Sequence, residues 1–134
     1  MKPTFLSCLF LTGSLLTGCT FGARTPVNAT KHDVENHEPF VLLGRQVQRS
    51  VTCSGIQKRT QPDGRMEVTA SVRNREARRL QVQINCEFKD DNGRVVDAGP
   101  FRNLFLSPLS QEAVEFVALN TAAKSFTIRV REVQ

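Results

Sequence analysis

Residues 80–88 read LQVQINCEF, a run in which every second residue is apolar. Alternate side chains of an extended chain point to opposite faces, so the apolar members share one face and the polar members share the other. The apolar members are Leu80, Val82, Ile84, Cys86 and Phe88. This alternation predicts a β-strand with one buried face and one solvated face.

The segments on both sides of this run have the same period of two. Apolar residues alternate with polar ones over residues 47–53, 66–72, 114–118 and 126–130. A single helical turn is expected over residues 119–124. Short strands at turn spacing, without a long helical pattern, predict an all-β fold, an antiparallel β-sandwich.

Turn residues separate the strands. The sequence PDG at residues 62–64 and the sequence DDNG at residues 90–93 supply the residue types that tight turns need. The second of these contains Asn-Gly, the strongest short signal of a β-hairpin. Residues 74–78 join the second and third predicted strands, and we interpret them as a further hairpin tip.

The chain begins with the features of a secretory signal peptide. Lys2 is followed by a largely apolar stretch over residues 5–16, which is too short to cross a bilayer as a helix. The next residues match the bacterial lipobox, a leucine and two small residues before a cysteine: Leu16, Thr17, Gly18 and Cys19. The alternative is an ordinary signal peptide with an incidental cysteine.

Cys19 is the predicted site of lipidation. Its thiol accepts a diacylglycerol as a thioether, and several acyl chains hold a protein on a membrane more firmly than one. Thr20 follows it in place of an aspartate, which favours the outer membrane, with the protein facing the periplasm. We therefore predict a signal peptide over residues 1–18, a lipidated cysteine and flexible tether over residues 19–43, and a sandwich domain over residues 44–134.

The charge balance narrows the classes of partner. The chain carries 18 Lys+Arg against 13 Asp+Glu, a formal net charge of +5. In the bacterial envelope the polyanions are lipid phosphates, lipopolysaccharide and peptidoglycan carboxylates. Nucleic acid is excluded as an expected partner because the compartment is wrong and interleaved aromatic residues are absent.

Two cysteines remain in the expected domain. Cys53 and Cys86 are both in phase with apolar residues, in a compartment that permits disulfides. A disulfide between them is one prediction, and two separate buried thiols that act as small core residues are the alternative.

Catalytic and metal-binding residues are sparse. A cluster of His32, Asp33, Glu35, His37 and Glu38 has ligand chemistry, but it lies in the expected tether without a rigid scaffold. No histidine follows residue 37, and no nucleophile has a neighbouring base. We expect no enzyme activity, no metal site and no cofactor.

The predicted hairpin tip is rich in arginine. It is expected to contact an anion or a partner through Arg73, Arg75, Arg78 and Arg79. Arginine binds phosphate and carboxylate through two parallel hydrogen bonds. The alternative is that these side chains only keep an exposed turn soluble.

The last strand offers a second candidate surface. Arg129 and Arg131 point outward on it and extend the basic patch by expectation. Residues 125–132 form a candidate edge strand for pairing with a partner strand.

The chain resembles the YcfL-like family of small periplasmic lipoproteins over residues 45–133. The resemblance rests on the strand VTASVRN at residues 68–74, the strand that runs into DDNG, the Leu-Ser-Pro segment and the closing strand SFTIRVR. It implies an immunoglobulin-like domain and an envelope role, with no catalytic residues to carry over. Phe101-Arg102-Asn103 departs from the family, whose members commonly have an aromatic residue before Leu104.

Two functions follow as hypotheses. The first is an outer-membrane-anchored interaction module, without catalysis, that contacts a protein partner in an envelope assembly. The second is a binder of an anionic envelope polymer, peptidoglycan or lipopolysaccharide, through the arginine-rich tip.

Overall fold

The computed structural model describes residues 39–133. The predicted signal peptide, the lipobox with Cys19, the cluster at residues 32–38 and most of the tether lie outside the described residues. The elements in chain order are β1 (Phe40–Leu43), α1 (Arg45–Ser50), β2 (Val51–Thr60), β3 (Met66–Asn74), β4 (Leu80–Lys89), β5 (Val95–Ala98), β6 (Arg102–Leu106), β7 (Gln111–Val117) and β8 (Ser125–Glu132).

The strands form two sheets that face each other. One sheet has the order β1-β8-β4-β5, and β6 pairs with the same edge of β4 as β5 does, along residues 80–84, whereas β5 pairs along residues 87–89. The other sheet has the order β2-β3-β7. The prediction of an all-β sandwich is therefore confirmed. All the pairs are antiparallel except that of β1 with β8, which is parallel.

The core lies between the sheets, where the alternating apolar residues meet. On β3 these are Met66, Val68, Ala70 and Val72, all buried. The apolar face of β4 lies opposite them in the same cluster, together with Ile128 and Val130 of β8. Burial of such side chains, at about 25 cal/mol per Å² of apolar surface, is the main favourable contribution to the fold.

The two predicted turns are confirmed. Gly64 in the β2–β3 turn has φ of 86°, and Gly93 in the β4–β5 turn has φ of 75°. Both values lie in the left-handed region that glycine adopts without steric cost. In the second turn the Asp90 carboxylate accepts the N–H groups of Asn92 (2.8 Å) and Arg94 (3.0 Å).

The expected strand over residues 47–53 is wrong in its first half. Residues 45–50 form α1, which begins after Gly44 (φ 109°) and has the bond from Gln48 N–H to the Gly44 carbonyl (3.2 Å). Val47 lies on this helix and is buried in the core. The prediction that Val47 faces the core is therefore confirmed, although its assignment to a strand is wrong. Six residues make less than two turns, too few to show a helical period.

The sandwich begins at residue 40 and not at residue 44. Strand β1 pairs with β8, and Ile128 N–H donates to the Pro39 carbonyl (2.9 Å). The predicted tether is therefore shorter at its carboxyl end, where the apolar residues 40–43 join the sheet. Between residues 39 and 133 no helix has the length and apolar character needed to cross a bilayer.

Two other expectations are wrong. Strand β8 has neighbours on both sides, β1 and β4, so it is not an edge open to a partner strand. Residues 119–124 form bends and extended chain in place of a helical turn.

Candidate interaction surface

The strand directions define two ends of the sandwich. Strand β1 leads away from Pro39, and α1 and the segments 73–79 and 107–110 lie at the end of the sandwich that β1 reaches. We call the segments 44–50, 73–79 and 107–110 the distal pole. The turns at the end near Pro39, residues 61–65, 90–94 and 118–124, form the proximal pole.

The predicted hairpin tip is a crossing between the sheets. Strand β3 belongs to the three-stranded sheet and β4 to the other, so residues 75–79 pass over the end of the core. Alternation along a strand reports which face is buried and says nothing of which strands pair. The hairpin interpretation is therefore wrong, although the arginines do lie together at one end.

A buried asparagine fixes the distal pole. Asn74 has no solvent exposure (0%). Its amide nitrogen donates to the carbonyls of Arg78 (2.7 Å) and Ser107 (2.9 Å), and its amide oxygen accepts Glu76 N–H (2.8 Å). Its backbone N–H donates to the Ser110 carbonyl (2.9 Å). One side chain thus joins the crossing to the β6–β7 turn.

Glu76 joins the crossing to α1. Its carboxylate accepts a hydrogen bond from the Ser50 hydroxyl and forms an ion pair with Arg78. The hydrogen bonds from Ser50 and then from Arg78 lower the pKa of Glu76 below its usual range. Arg75 N–H donates to the Ser50 carbonyl (2.8 Å), so the end of α1 lies against the crossing.

The predicted arginines divide into engaged and free side chains. Arg78 is paired with Glu76, and the Arg79 guanidinium lies over the Phe105 ring at 5.4 Å. Arg73 and Arg75 are exposed, and in residues 39–133 no ion pair or ring contact engages their guanidiniums.

Two further free arginines were missed by the sequence analysis. Arg45 and Arg49 lie one turn apart on α1, so both guanidiniums project from the same side of the helix. Both are exposed, and neither has an ion-pair partner in the part of the chain that the structure describes. Their spacing of four residues was the available signal, but it was hidden by the strand assignment.

An apolar residue protrudes among these charges. Leu109 lies in the β6–β7 turn with 57% of its surface exposed and φ of 55°, the only positive φ of a non-glycine residue in the described range. Its N–H donates to the Glu76 carbonyl (3.0 Å). An L-residue in this conformation costs about 1–2 kcal/mol. The surrounding hydrogen bonds hold the leucine outward despite this cost.

Arg129 and Arg131 do not extend the basic pole. They lie on the outer face of the larger sheet, where Arg129 pairs with Glu87 (2.5 Å) and Arg131 donates to the Gln83 side chain (2.9 Å). Both guanidiniums also contact the Phe101 ring, at 5.5 and 3.9 Å from its centroid. These contacts engage both guanidiniums on the outer face of the larger sheet, away from the distal pole.

The two cysteines are free, so the predicted disulfide is corrected in favour of separate thiols. Cys86 is buried on β4, and Cys53 is half-buried on β2 in the other sheet. Burial raises the pKa of Cys53, and burial followed by the charges of Asp97 and Glu87 raises the pKa of Cys86 to about 12. Both thiols stay protonated at neutral pH.

A cavity of about 370 Å³ adjoins Cys86 between β5 and β7. Phe88 and Phe116 contribute to its lining, and the Arg102 guanidinium lies 4.6 Å from the Phe116 ring centroid. Residues 39–133 contain no group of three His, Cys, Asp or Glu residues that could hold a metal ion. The cluster around His32 and His37 lies outside this range.

Comparisons with known proteins identify a family and a fold. A family model described as "Protein of unknown function (DUF1425)" matches residues 39–132. No curated protein matches the sequence. The crystal structure of Cj0090 from Campylobacter jejuni is similar to this chain, with 18% sequence identity and a TM-score of 0.61. The match covers 71% of this chain and 98% of that chain.

A second crystal structure is that of a DUF1425 family member from Shewanella sp. pv-4. It is 20% identical with a TM-score of 0.57, over 63% of this chain and 79% of that chain. At these identities the two likenesses show a shared fold.

Proposed function

The chain belongs to the DUF1425 family of proteins of unknown function, and from this premise we propose that it is a periplasmic lipoprotein of the YcfL-like type. In this proposal it is anchored to the outer membrane and acts as a non-catalytic interaction module in a cell-envelope assembly. The contact surface is the distal pole.

The membrane anchor is proposed from the sequence of the amino-terminal segment. Residues 16–19 carry the lipobox pattern, and Cys19 is the residue that receives the acyl chains. The described domain begins at Pro39, twenty residues later. A domain attached in this way is brought to a surface by its anchor and needs only a modest contact of its own.

The observation that carries the contact surface is the uneven distribution of charge between the two ends. The segments of the distal pole contain six arginines and one glutamate, whereas those of the proximal pole contain three basic and three acidic residues. Free guanidiniums on a rigid scaffold offer paired donors to carboxylate or phosphate. The pole that faces away from Pro39 is thus the end that is equipped to bind an anionic partner.

A non-catalytic role is supported by the chemistry of the candidate nucleophiles. The thiols of Cys53 and Cys86 have raised pKa values, so neither is a thiolate at neutral pH. The carboxylates of Glu76 and Asp63 bond to neighbouring groups that lower their pKa values, so both favour the ionised form.

A second candidate function is favoured by the same free arginines. Peptidoglycan carries carboxylates and lipopolysaccharide carries phosphates, and both repeat along an extended surface. Several guanidiniums at one pole fit such repeated anions better than they fit a single small ligand.

The test compares crosslinking with sedimentation. The variant with Arg73→Glu and Arg75→Glu is matched by a proximal variant with Arg94→Glu and Lys124→Glu, which has the same change in net charge. We expect the distal variant alone to lose specific crosslinks to envelope proteins in cells. Loss of sedimentation with purified sacculi by the distal variant alone supports the second candidate instead. Equal behaviour of the two variants in both assays contradicts the distal pole as contact surface.

A further inference from the structure

Leu109 is presented on a fixed turn. Ser110 N–H and the Ser110 hydroxyl both bond to the Ser107 carbonyl (3.2 and 2.9 Å), and the Asn74 amide donates to the same carbonyl. The turn is therefore tied to the buried end of β3, and its exposed leucine has little freedom to fold back onto the domain. A protruding apolar residue held in a costly backbone conformation is a feature expected at a contact site.

Free arginines accompany this leucine. The Glu76 carbonyl that accepts Leu109 N–H belongs to the residue next to Arg75, and Arg75 in turn bonds through its backbone to Ser50 at the end of α1. The guanidiniums of Arg75 and Arg49 therefore extend from the elements that support the leucine. Together they combine one apolar tip with positive charge that has no internal partner.

From this combination we infer that the distal pole docks on an anionic phospholipid surface. Leu109 enters the boundary between head groups and acyl chains, and the free arginines bind the lipid phosphates. The inference rests on the proposed function, which makes the distal pole the contact surface, and it names the chemistry of the surface.

The small apolar content of the pole favours a lipid contact for Leu109 over a large protein interface. A stable protein interface buries about 800 Å² on each partner and has a core rich in aromatic residues. Near this pole the exposed large apolar residues are Leu109, Phe105 (51% exposed), Leu43 at the end of β1 and Val133 after β8, and the Phe105 ring is already under the Arg79 guanidinium. A lipid surface needs no complementary pocket, because a single side chain enters a fluid boundary.

The expected affinity suits a tethered domain. Each arginine near an anionic bilayer is worth about fivefold in partitioning, and transfer of a leucine side chain adds about tenfold. Such a contact is weak for a free protein, but an anchored domain meets the surface at high effective concentration. Nineteen residues lie between Cys19 and Pro39, which gives a span of at most roughly 70 Å when extended, and β4 of ten residues is roughly 33 Å long. Either pole therefore reaches the membrane that holds the anchor.

The composition of the chain allows a direct experiment. The protein contains no Trp and no Tyr, so one introduced tryptophan is the sole strong emitter. We propose Leu109→Trp in the full chain, with Leu119→Trp as the matched control, because Leu119 is 79% exposed at the proximal pole. Both variants are reconstituted in vesicles of phosphatidylethanolamine with phosphatidylglycerol, and in vesicles of phosphatidylethanolamine with phosphatidylcholine.

The expected result is specific to one pole and one lipid. With phosphatidylglycerol, the Leu109→Trp emission shifts to shorter wavelength and is quenched by lipids brominated on the acyl chains, while the Leu119→Trp emission is not. Adding Arg73→Glu and Arg75→Glu to Leu109→Trp lowers the apparent affinity for phosphatidylglycerol by at least about 25-fold, two losses of about fivefold each. High salt should also lower the apparent affinity of Leu109→Trp for phosphatidylglycerol vesicles, because it screens the charges.

Equal quenching of the two tryptophans, or quenching of Leu109→Trp that does not depend on phosphatidylglycerol, overturns the inference. If Leu109→Trp is not quenched while crosslinks to an envelope protein still require Arg73 and Arg75, the lipid inference fails and the proposed function stands. If the crosslinks are also independent of these arginines, both fail. Circular dichroism and melting of each variant establish that the sandwich is folded.

Discussion

The two poles are built from similar parts and differ in how the charges are used. Each pole has turns with fixed hydrogen bonds and one exposed leucine, Leu109 or Leu119. At the proximal pole Arg65 pairs with Asp63 (2.6 Å), and the Asp97 carboxylate accepts Leu119 N–H (2.8 Å). At the distal pole Glu76 is the one acidic residue among six arginines, and of these only Arg78 has an ion-pair partner within residues 39–133, whereas acidic and basic residues are equal in number at the proximal pole. The net positive charge of the chain is therefore local, and a total of +5 alone does not reveal it.

The poles also differ in what holds them. The proximal β4–β5 turn uses the half-buried carboxylate of Asp90, whereas the distal pole depends on the fully buried Asn74. A buried polar group that loses its partners costs more than an exposed one, because water cannot replace them.

The largest expected effect is therefore that of Asn74→Ala. It leaves the Arg78 and Ser107 carbonyls and Glu76 N–H without this partner, and we expect a loss of about 3 kcal/mol in the free energy of unfolding. Asp90→Ala at the proximal pole should lose about 1 kcal/mol. Urea denaturation of both variants measures the difference, and equal losses would show that Asn74 does not organise its pole.

A smaller effect of opposite sign is expected for the two leucines. Leu109→Gly removes the strain of φ 55°, so the free energy of unfolding should rise by about 0.5–1 kcal/mol. Leu119→Gly relieves no such strain and should lower it by about 0.5–1 kcal/mol, because glycine loses more entropy on folding. Thermal unfolding of the two variants checks this, and a melting temperature that falls for both would contradict strain at Leu109.

The smallest effect is a pH dependence. The pKa of Glu76 is lowered in the folded state, so its ionised carboxylate stabilises the fold at pH values above the ordinary pKa of 4.5. This stability is lost as the pH falls through the pKa that Glu76 has in the folded state. Glu76→Gln should therefore make the acid limb of the stability curve shallower. Asp63→Asn should have the same sign and a weaker effect, because Asp63 bonds only to residues of its own turn. Melting at several acidic pH values gives both slopes, and an unchanged slope for Glu76→Gln would contradict the lowered pKa of Glu76.

The sequence predicts what is local in this fold. The alternation over residues 80–88, the glycine turns and the buried phase of Val47 all depend on near neighbours, and each is found in the structure. The assignment of strands to sheets depends on contacts between distant segments. For this reason residues 74–78 were interpreted as a hairpin tip and residues 125–132 as an edge strand, and both interpretations are wrong.

The arginines of the candidate site could be predicted from the sequence, but their contacts could not. Runs of arginine are visible in sequence, so Arg73, Arg75, Arg78 and Arg79 were found. Their division into free and engaged side chains depends on Glu76 and Phe105, whose positions the structure supplies. The role of Leu109 could not be anticipated, because a Leu-Ser pair after a proline gives no sign of a positive φ.

The parallel pairing of β1 with β8 gives the domain a mechanical direction. Phe40 to Leu43 lie in register with Ile128 to Arg131, along the axis that leads from Pro39 to the distal pole. In the proposed arrangement, tension between an anchored amino-terminal segment and a bound distal pole would pull β1 lengthwise past β8, so that the hydrogen bonds between the two strands share the load and do not open one by one. We therefore expect the domain to resist stretching along this line more than across it.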